Sequence, residues 1–279
     1  MVRAHGFGHG GVPLPEKRMP HSFTVDNAFL PLHATVVLRE SAAGVDSRPA
    51  VAVGQEVREG QLLASSSGAG SSNIFSPIPG VVRRIVTVKA PEGFDTVGIV
   101  LSLEGMFYLP GHGNRLSDWS GYTGADMARI VRDRGIVCPV NGLPLHEVIS
   151  SRSAGGLLVV SAMDIDPYVR TEETLLHHKM AEIAEGCAMA AKIVEPAGIL
   201  VAIDEATDRA TVETVQATMK ALVPSATVHR FRRIYPQNYI HQIAGSLGLT
   251  GADGLFVMAP STLVALHDAI VMDRPQIEQ

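Results

Sequence analysis

The chain has 279 residues, a formal charge of −5 and 46% hydrophobic residues. That length predicts one large or two modest domains, and the composition supplies a buried core while arguing against wholesale disorder. A mildly acidic chain without a basic block excludes nucleic acid as an expected partner and gives no reason for direct contact with an anionic membrane surface.

Cys138 and Cys187, its two cysteines, are far apart. They make no CxxC, no zinc spacing, no iron–sulfur run and no disulfide framework, which fits a reducing compartment. Residues 1–20 hold no apolar core of signal-peptide length. The longest apolar stretches, 155–163 and 255–260, are too short to span a bilayer, so no membrane insertion is expected.

Residues 1–28 are rich in Gly, His and Pro and predict an arm rather than a helix. His5, His9 and His21 are capable metal ligands, but no third ligand stands at a helical or hairpin spacing. They read as solvated imidazoles on a glycine-rich strap, and no metal site is expected.

Residues 29–104 predict an all-β module. Strands are expected at 33–38, in the 51–64 run with turns at Gly54 and Gly60, at 74–82 around the Pro79-Gly80 turn, at 83–89 and at 97–103. After a linker at 105–120, Thr123 is placed to cap a helix over 127–134, with Asp126 three residues on. From there strand and helix alternate: strands at 157–161, 198–203, 226–231 and 254–258, helices at 171–194, 211–222, 238–247 and 261–272. Alternation of this kind means βαβ units, so 120–279 predicts a Rossmann-like, mainly parallel α/β domain.

Ligands of open α/β sheets bind beyond the carboxyl ends of the strands. Four such segments matter: 138–144, 162–168, Asp204-Glu205 and 232–237. Asp164 and Asp166, two apart in a loop, could act as acid and base or grip a cation. Alternatively Asp166-Pro167 is a turn and Thr171 caps the next helix, with Glu172 and Glu173 in its first turn. Asp204-Glu205 could hold a ribose or ribityl hydroxyl or stand in a solvated loop. Arg230, Arg232 and Arg233 could meet a phosphate or line a strand edge. His177 and His178, adjacent on a helix, face different directions. Cys187 reads as core. No catalytic nucleophile arrangement can be argued.

The run VAVGQEVREGQLLA at 51–64 followed by FSPIPGVV at 75–82 resembles the barrel-sandwich hybrid fold of lipoyl and biotinyl domains. The tip, 65–72, has no lysine, so a carrier role is not supported. Added to GGVPLPEK at 10–17, Gly135-Ile-Val137, SAMDIDPY at 161–168, Tyr235-Pro-Gln237 and RPQIE at 274–278, the pattern resembles the C subunit of the Rnf electron transport complex. It is similar also to the A subunit of the Na⁺-translocating NADH:quinone oxidoreductase.

That resemblance implies a barrel-sandwich hybrid followed by a Rossmann-like domain. It implies a subunit held peripherally on the cytoplasmic face of the membrane by membrane subunits of an NADH-dependent, ion-translocating complex. FMN and NADH are the implied cofactors. The family's glycine-rich flavin loop is replaced here by Cys138-Pro-Val-Asn-Gly-Leu-Pro144, and its cysteine-bearing region has no counterpart in these residues. The expectation is therefore an eroded FMN site, with Asn141, Gly142, Asp164 and Asp204 as its remnants, no iron–sulfur cluster, and a scaffold or docking role without catalytic residues of its own. The rival expectation is a freestanding flavin- or nucleotide-fold binding module.

Overall fold

A computed structural model of the chain describes residues 4–8, 10–13, 24–26, 29–38, 47–65, 68, 70–90, 93–107, 117–151, 155–164 and 169–277. His9, His21, Asp166 and the 165–168 turn, together with parts of the arm and of the 65–72 tip, lie outside the described residues. Contacts divide the chain into two units, residues 1–25 with 152–264 and residues 26–151 with 265–279.

The arm contributes β1 (Val12–Pro13). The β module follows, with β2 (His33–Val37), β3 (Arg48–Pro49), β4 (Glu56–Val57), β5 (Leu62–Ser65), β6 (Ile74–Phe75), β7 (Gly80–Lys89) and β8 (Asp95–Leu103). β2, β8, β7 and β4 form one antiparallel sheet; β3, β5 and β6 form a second. Leu38, Val57, Leu63, Ala64, Ile74, Ile78, Val82, Ile99 and Leu101 fill one core drawn from both sheets. This is the barrel-sandwich hybrid. Its Pro-Gly corner works by close approach: a Cβ on Gly80 would lie 1.9 Å from the Ser102 carbonyl oxygen, so only glycine lets β7 leave the corner paired to β8.

Next come α1 (Gly124–Asp133), β9 (Val137–Cys138), β10 (Leu143–Pro144) and α2 (Leu145–Ser150). Thr123 caps α1 as expected, with a full capping box: Asp126 N–H donates to Thr123 Oγ1 at 3.2 Å and Thr123 N–H to Asp126 Oδ2 at 3.1 Å.

These elements group with the β module rather than with the parallel sheet. The expected chain-order division, 29–104 against 120–279, thus differs from the contact-based one. The reason is local. Asn73 Nδ2 donates to the Asp133 carbonyl at 3.2 Å, and Gly70 N–H donates to Glu147 of α2. The C-terminal segment folds back too: Gln276 Oε1 accepts Val137 N–H at 2.8 Å, and Arg134 pairs with Asp273.

The other unit is built on β11 (Leu157–Ala162), α3 (Thr171–His178), α4 (Met180–Val194), β12 (Gly198–Asp204), α5 (Arg209–Leu222), β13 (Ala226–Phe231), β14 (Ile234–Tyr235), α6 (Ile240–Ser246) and β15 (Leu255–Met258). The division between the units falls inside α7 (Pro260–Val271).

The sheet order is β13-β12-β11-β15, all parallel. In order of appearance the strands therefore run 3-2-1-4, the doubly wound order, with its switch point between β11 and β15. Both faces are buried. Val159, Leu200, Ala202, Phe231, Leu255 and Val257 pack with Ile243 and Ala244 of α6 on one face. The alternate residues Leu158, Val160, Val201 and Phe256 are buried on the other.

Two details depart from the pattern reading. The helix expected over 171–194 is two helices, because Lys179 leaves helical geometry at φ −133°. No proline or glycine marks that break. The arm is ordered where described, β1 pairing antiparallel with β14 and His5 bridging to Phe231 at the β13 edge, but His5 is part-buried against His229 rather than a solvated imidazole.

Candidate functional site

Asp164 stands two residues beyond the end of β11 with its carboxylate turned onto α3. It accepts the N–H groups of Glu172 at 3.2 Å and Glu173 at 2.9 Å. Thr171 is therefore not the cap, as one reading of the sequence had it; it is the first helical residue, and Arg170 at the cap position makes no side-chain capping hydrogen bond. Asp164 caps the helix from seven residues upstream of its start, at a spacing that no local cap signature covers. Burial pushes its carboxyl up to about 6, outweighing the two N–H donors.

Glu172 repeats the device one step on. Its carboxylate accepts the Ser261 N–H at 2.9 Å and the Ser261 hydroxyl at 2.7 Å, at the N-terminus of α7. Burial pushes this carboxyl up as well. α3 follows β11 and α7 follows β15, so the contact bridges the sheet's switch point, the place where open α/β sheets take their ligands.

Asp204 ends β12. Its Oδ1 accepts Ala206 N–H at 2.8 Å, and its Oδ2 stands 3.6 Å from Nε of Arg233. Burial raises its pKa against those two partners, and the Glu173 and Glu205 carboxylates raise it further. Glu205 in turn accepts Arg233 N–H at 3.1 Å.

Two of the three arginines have acceptors or a counter-charge beside them, though the buried Nε of Arg233 has no hydrogen-bond partner among the described residues. Arg233 faces Asp204, and Arg230 donates to the carbonyls of Glu205 at 2.5 Å and Thr207 at 3.0 Å. The Arg232 stem lies where a Cβ on Gly6 would meet it at 2.7 Å. At the following helix, Asp208 caps α5, accepting Thr211 N–H at 2.9 Å. His177 stands 3.4 Å from the Thr211 hydroxyl.

Asn141 and Gly142 belong to the other unit. The segment 138–144 is not the carboxyl end of a parallel strand, as the sequence suggested: β9 pairs antiparallel with β10 in a two-stranded hairpin. The N–H groups of Asn141 and Gly142 donate to the Cys138 carbonyl at 3.3 and 2.8 Å. Leu143 N–H donates to Asn141 Oδ1 at 3.0 Å, and Leu145 N–H to the Ile136 carbonyl at 2.8 Å. The amides of Asn141, Gly142 and Leu143 are thus spent on the turn's own acceptors.

Asp164 and Asp204, then, share the carboxyl edge of the parallel sheet on adjacent strands, while Asn141 and Gly142 sit in a hairpin of the other unit. Sequence reading missed Glu172 as the acceptor that caps α7. The signal was weak, since its partner is 89 residues away. Cys138 and Cys187 are both buried, and neither is in a disulfide. Among the described residues no group of three or more His, Cys, Asp or Glu is arranged to hold a metal ion, and no helix is long and apolar enough to cross a membrane.

Residues 7–106 match the family described as the RnfC barrel sandwich hybrid domain. Curated proteins similar over nearly the whole chain include C subunits of ion-translocating oxidoreductase complexes. That of Pseudomonas aeruginosa is 27% identical over 100% of this chain and 37% of its own length. Those of Yersinia pestis (strain Antiqua) and Vibrio cholerae (strain O395) are 23% and 25% identical, each over 97% of this chain and over 45% and 36% of their own. The chain thus spans less than half the length of these relatives. Among solved structures, a chain of an NAD+-reducing [NiFe]-hydrogenase in the air-oxidized state aligns at a TM-score of 0.46 and 14% identity, over 53% of this chain and 30% of that one. So slight a likeness carries no argument.

Proposed function

We propose that this chain, a relative of the C subunits of ion-translocating oxidoreductase complexes with an RnfC-type barrel sandwich hybrid domain, serves as a peripheral docking component of such a complex and carries no FMN, NADH or iron–sulfur site of its own. Membrane subunits of the complex are its partners, and they hold it on the cytoplasmic face.

The observation that carries the reading is where the backbone N–H groups go. A flavin phosphate needs free amides in a glycine loop or at a helix N-terminus. In the 138–144 hairpin the amides of Asn141, Gly142 and Leu143 are spent within the turn, and Pro139 has none. At the parallel sheet, the N-termini of α3, α7 and α5 are taken by Asp164, Glu172 and Asp208. The residues present therefore do not fit an FMN phosphate. Carboxylates at that edge also oppose an incoming phosphate by like charge.

A charge-assisted hydrogen bond contributes about 1.5–3 kcal/mol, so the loss of two weakens FMN by roughly two to four decades. Cluster ligation is disfavoured on simpler grounds, since two buried cysteines cannot supply four thiolates within these residues.

Two measurements test the reading. Affinity capture of the tagged chain from membranes that contain the complex is expected to bring down its membrane subunits; capture of the chain alone would remove the docking role. Calorimetric titration of FMN and NADH into the purified chain is expected to give no binding below the micromolar range, and a sub-micromolar FMN constant would overturn the loss of the flavin site.

A further inference from the structure

The N-terminal strap is held to the β13 edge by two imidazoles. His5 Nε2 lies 2.9 Å from His229 Nδ1, and the ring centroids are 5.0 Å apart. On its far side His5 Nδ1 lies 3.4 Å from the Ser246 carbonyl at the end of α6. On the other side His229 Nε2 lies 3.2 Å from the Thr227 hydroxyl, which donates to the Ile199 carbonyl at 3.3 Å. Around this chain of contacts the backbone adds two bonds, His5 N–H to the Arg230 carbonyl and Arg232 N–H to the His5 carbonyl, both 2.8 Å.

The hydrogens in this relay can be counted. It begins and ends on a carbonyl, and its four contacts need four hydrogens. Two neutral imidazoles and one hydroxyl supply three. One further proton completes every contact, shared between the rings. A second further proton puts N–H against N–H at the His5–His229 contact, and two cations then face each other at hydrogen-bond distance.

Little else is present to compensate. Facing the pair are the Phe231 ring, with its centroid 5.1 Å from that of His5, and the Ser246 carbonyl. Of the nearby cations, Arg230 is bound to the Glu205 and Thr207 carbonyls and the Arg232 stem lies against Gly6. α6 carries one further histidine, His241, five positions before Ser246. Among the described residues no carboxylate pairs with either ring. Burial and the neighbouring His5 charge hold the His229 imidazole below the ordinary histidine range, as the second proton of a coupled pair requires.

We propose that the strap is a proton-controlled latch: it stays on the β13 edge while the His5–His229 pair holds at most one proton between them, and it releases when both rings are protonated. Release strips Arg230 and Arg232 of their backbone partners and bares the β13 edge.

The test is pH-dependent hydrogen exchange on the full chain, corrected for intrinsic rates, with long-range ¹H–¹⁵N correlation of the ring nitrogens. The expected result is a fall of about tenfold or more in protection of the His5 and Arg232 amides between about pH 7 and pH 4.5, while Val160 and Val201 in the central strands keep theirs. The His229 ring is expected to titrate below the ordinary histidine range. His229→Gln keeps a hydrogen-bonding side chain without the charge, so its strap protection is expected to persist through the same range. His5→Gln, which lies outside the core, gives the same reading if the first variant does not fold. Flat protection in the parent chain, or an equal acid loss in either variant, overturns the latch.

Discussion

Glu172 holds Ser261 with both carboxylate oxygens, one on the N–H at 2.9 Å and one on the hydroxyl at 2.7 Å. The first turn of α3 thereby caps α7 across the switch point of the parallel sheet. Asp164 caps α3 in the same way, so two carboxylates in series replace the free helix termini that a phosphate needs.

Glu172→Ala removes the cap of α7 and leaves the half-buried Ser261 donors unmatched. It is expected to destabilise the chain by about 1–2 kcal/mol, and Glu172→Gln, which keeps one acceptor oxygen, by less. Urea unfolding of the two variants beside the parent reads the difference. Equal stability of all three would show that the contact does not support the helix.

Asp164 sets a pH dependence whose sign is fixed by its environment. Its carboxyl sits at about 6 in the fold, above the ordinary 3.8. The native state thus binds a proton that the unfolded chain has already released, and stability falls as pH rises from about 4 to about 6. Asp164→Asn keeps an acceptor for the cap but cannot ionise. It is expected to be more stable than the parent at pH 7, on the order of 1–3 kcal/mol, with the gap closing toward pH 4. Denaturant midpoints measured at several pH values decide it; a gap that does not change with pH would remove burial as the cause.

Two glycines separate strain from space. Gly142 has φ +66° with nothing within 4 Å of an added Cβ, so Gly142→Ala meets only the left-handed backbone, about 1–2 kcal/mol. Gly186 in α4 lies against α7, where a Cβ would fall 2.2 Å from the Leu263 carbonyl oxygen. Gly186→Ala must push two helices apart and is expected to cost about 3 kcal/mol or more. Thermal melts that rank Gly142→Ala as the worse variant would contradict this packing.

The thiols are expected to be inert. Cys187 is fully buried in α4 and burial pushes its thiol up to about 12, while Cys138 is buried in the hairpin. With almost no thiolate at Cys187 and the Cys138 sulfur shielded from solvent, neither is expected to react with an aromatic disulfide reagent in the native protein, and both to react on unfolding. Fast labelling of the folded chain would show a site open to solvent.

Periodicity and turn chemistry carried the elements a long way. The β-branched runs and Gly/Pro corners placed β7 and β8, and the alternation of strand and helix from β11 to α7 announced βαβ units and a mainly parallel sheet. The Thr123–Asp126 box announced α1, because its partners are three residues apart and the signal is local. What only the tertiary structure decided are relationships between distant residues: Asp164 as the cap of α3, Glu172 on Ser261, Arg233 on Asp204, His5 on His229, and the grouping of α1 and α2 with the β module. Local motifs report on bonds made within a turn or two of chain. A carboxylate that ends one strand meets its donors on whichever helix the sheet order brings beside it, and that order is set by burial of whole faces rather than by the residues at their ends.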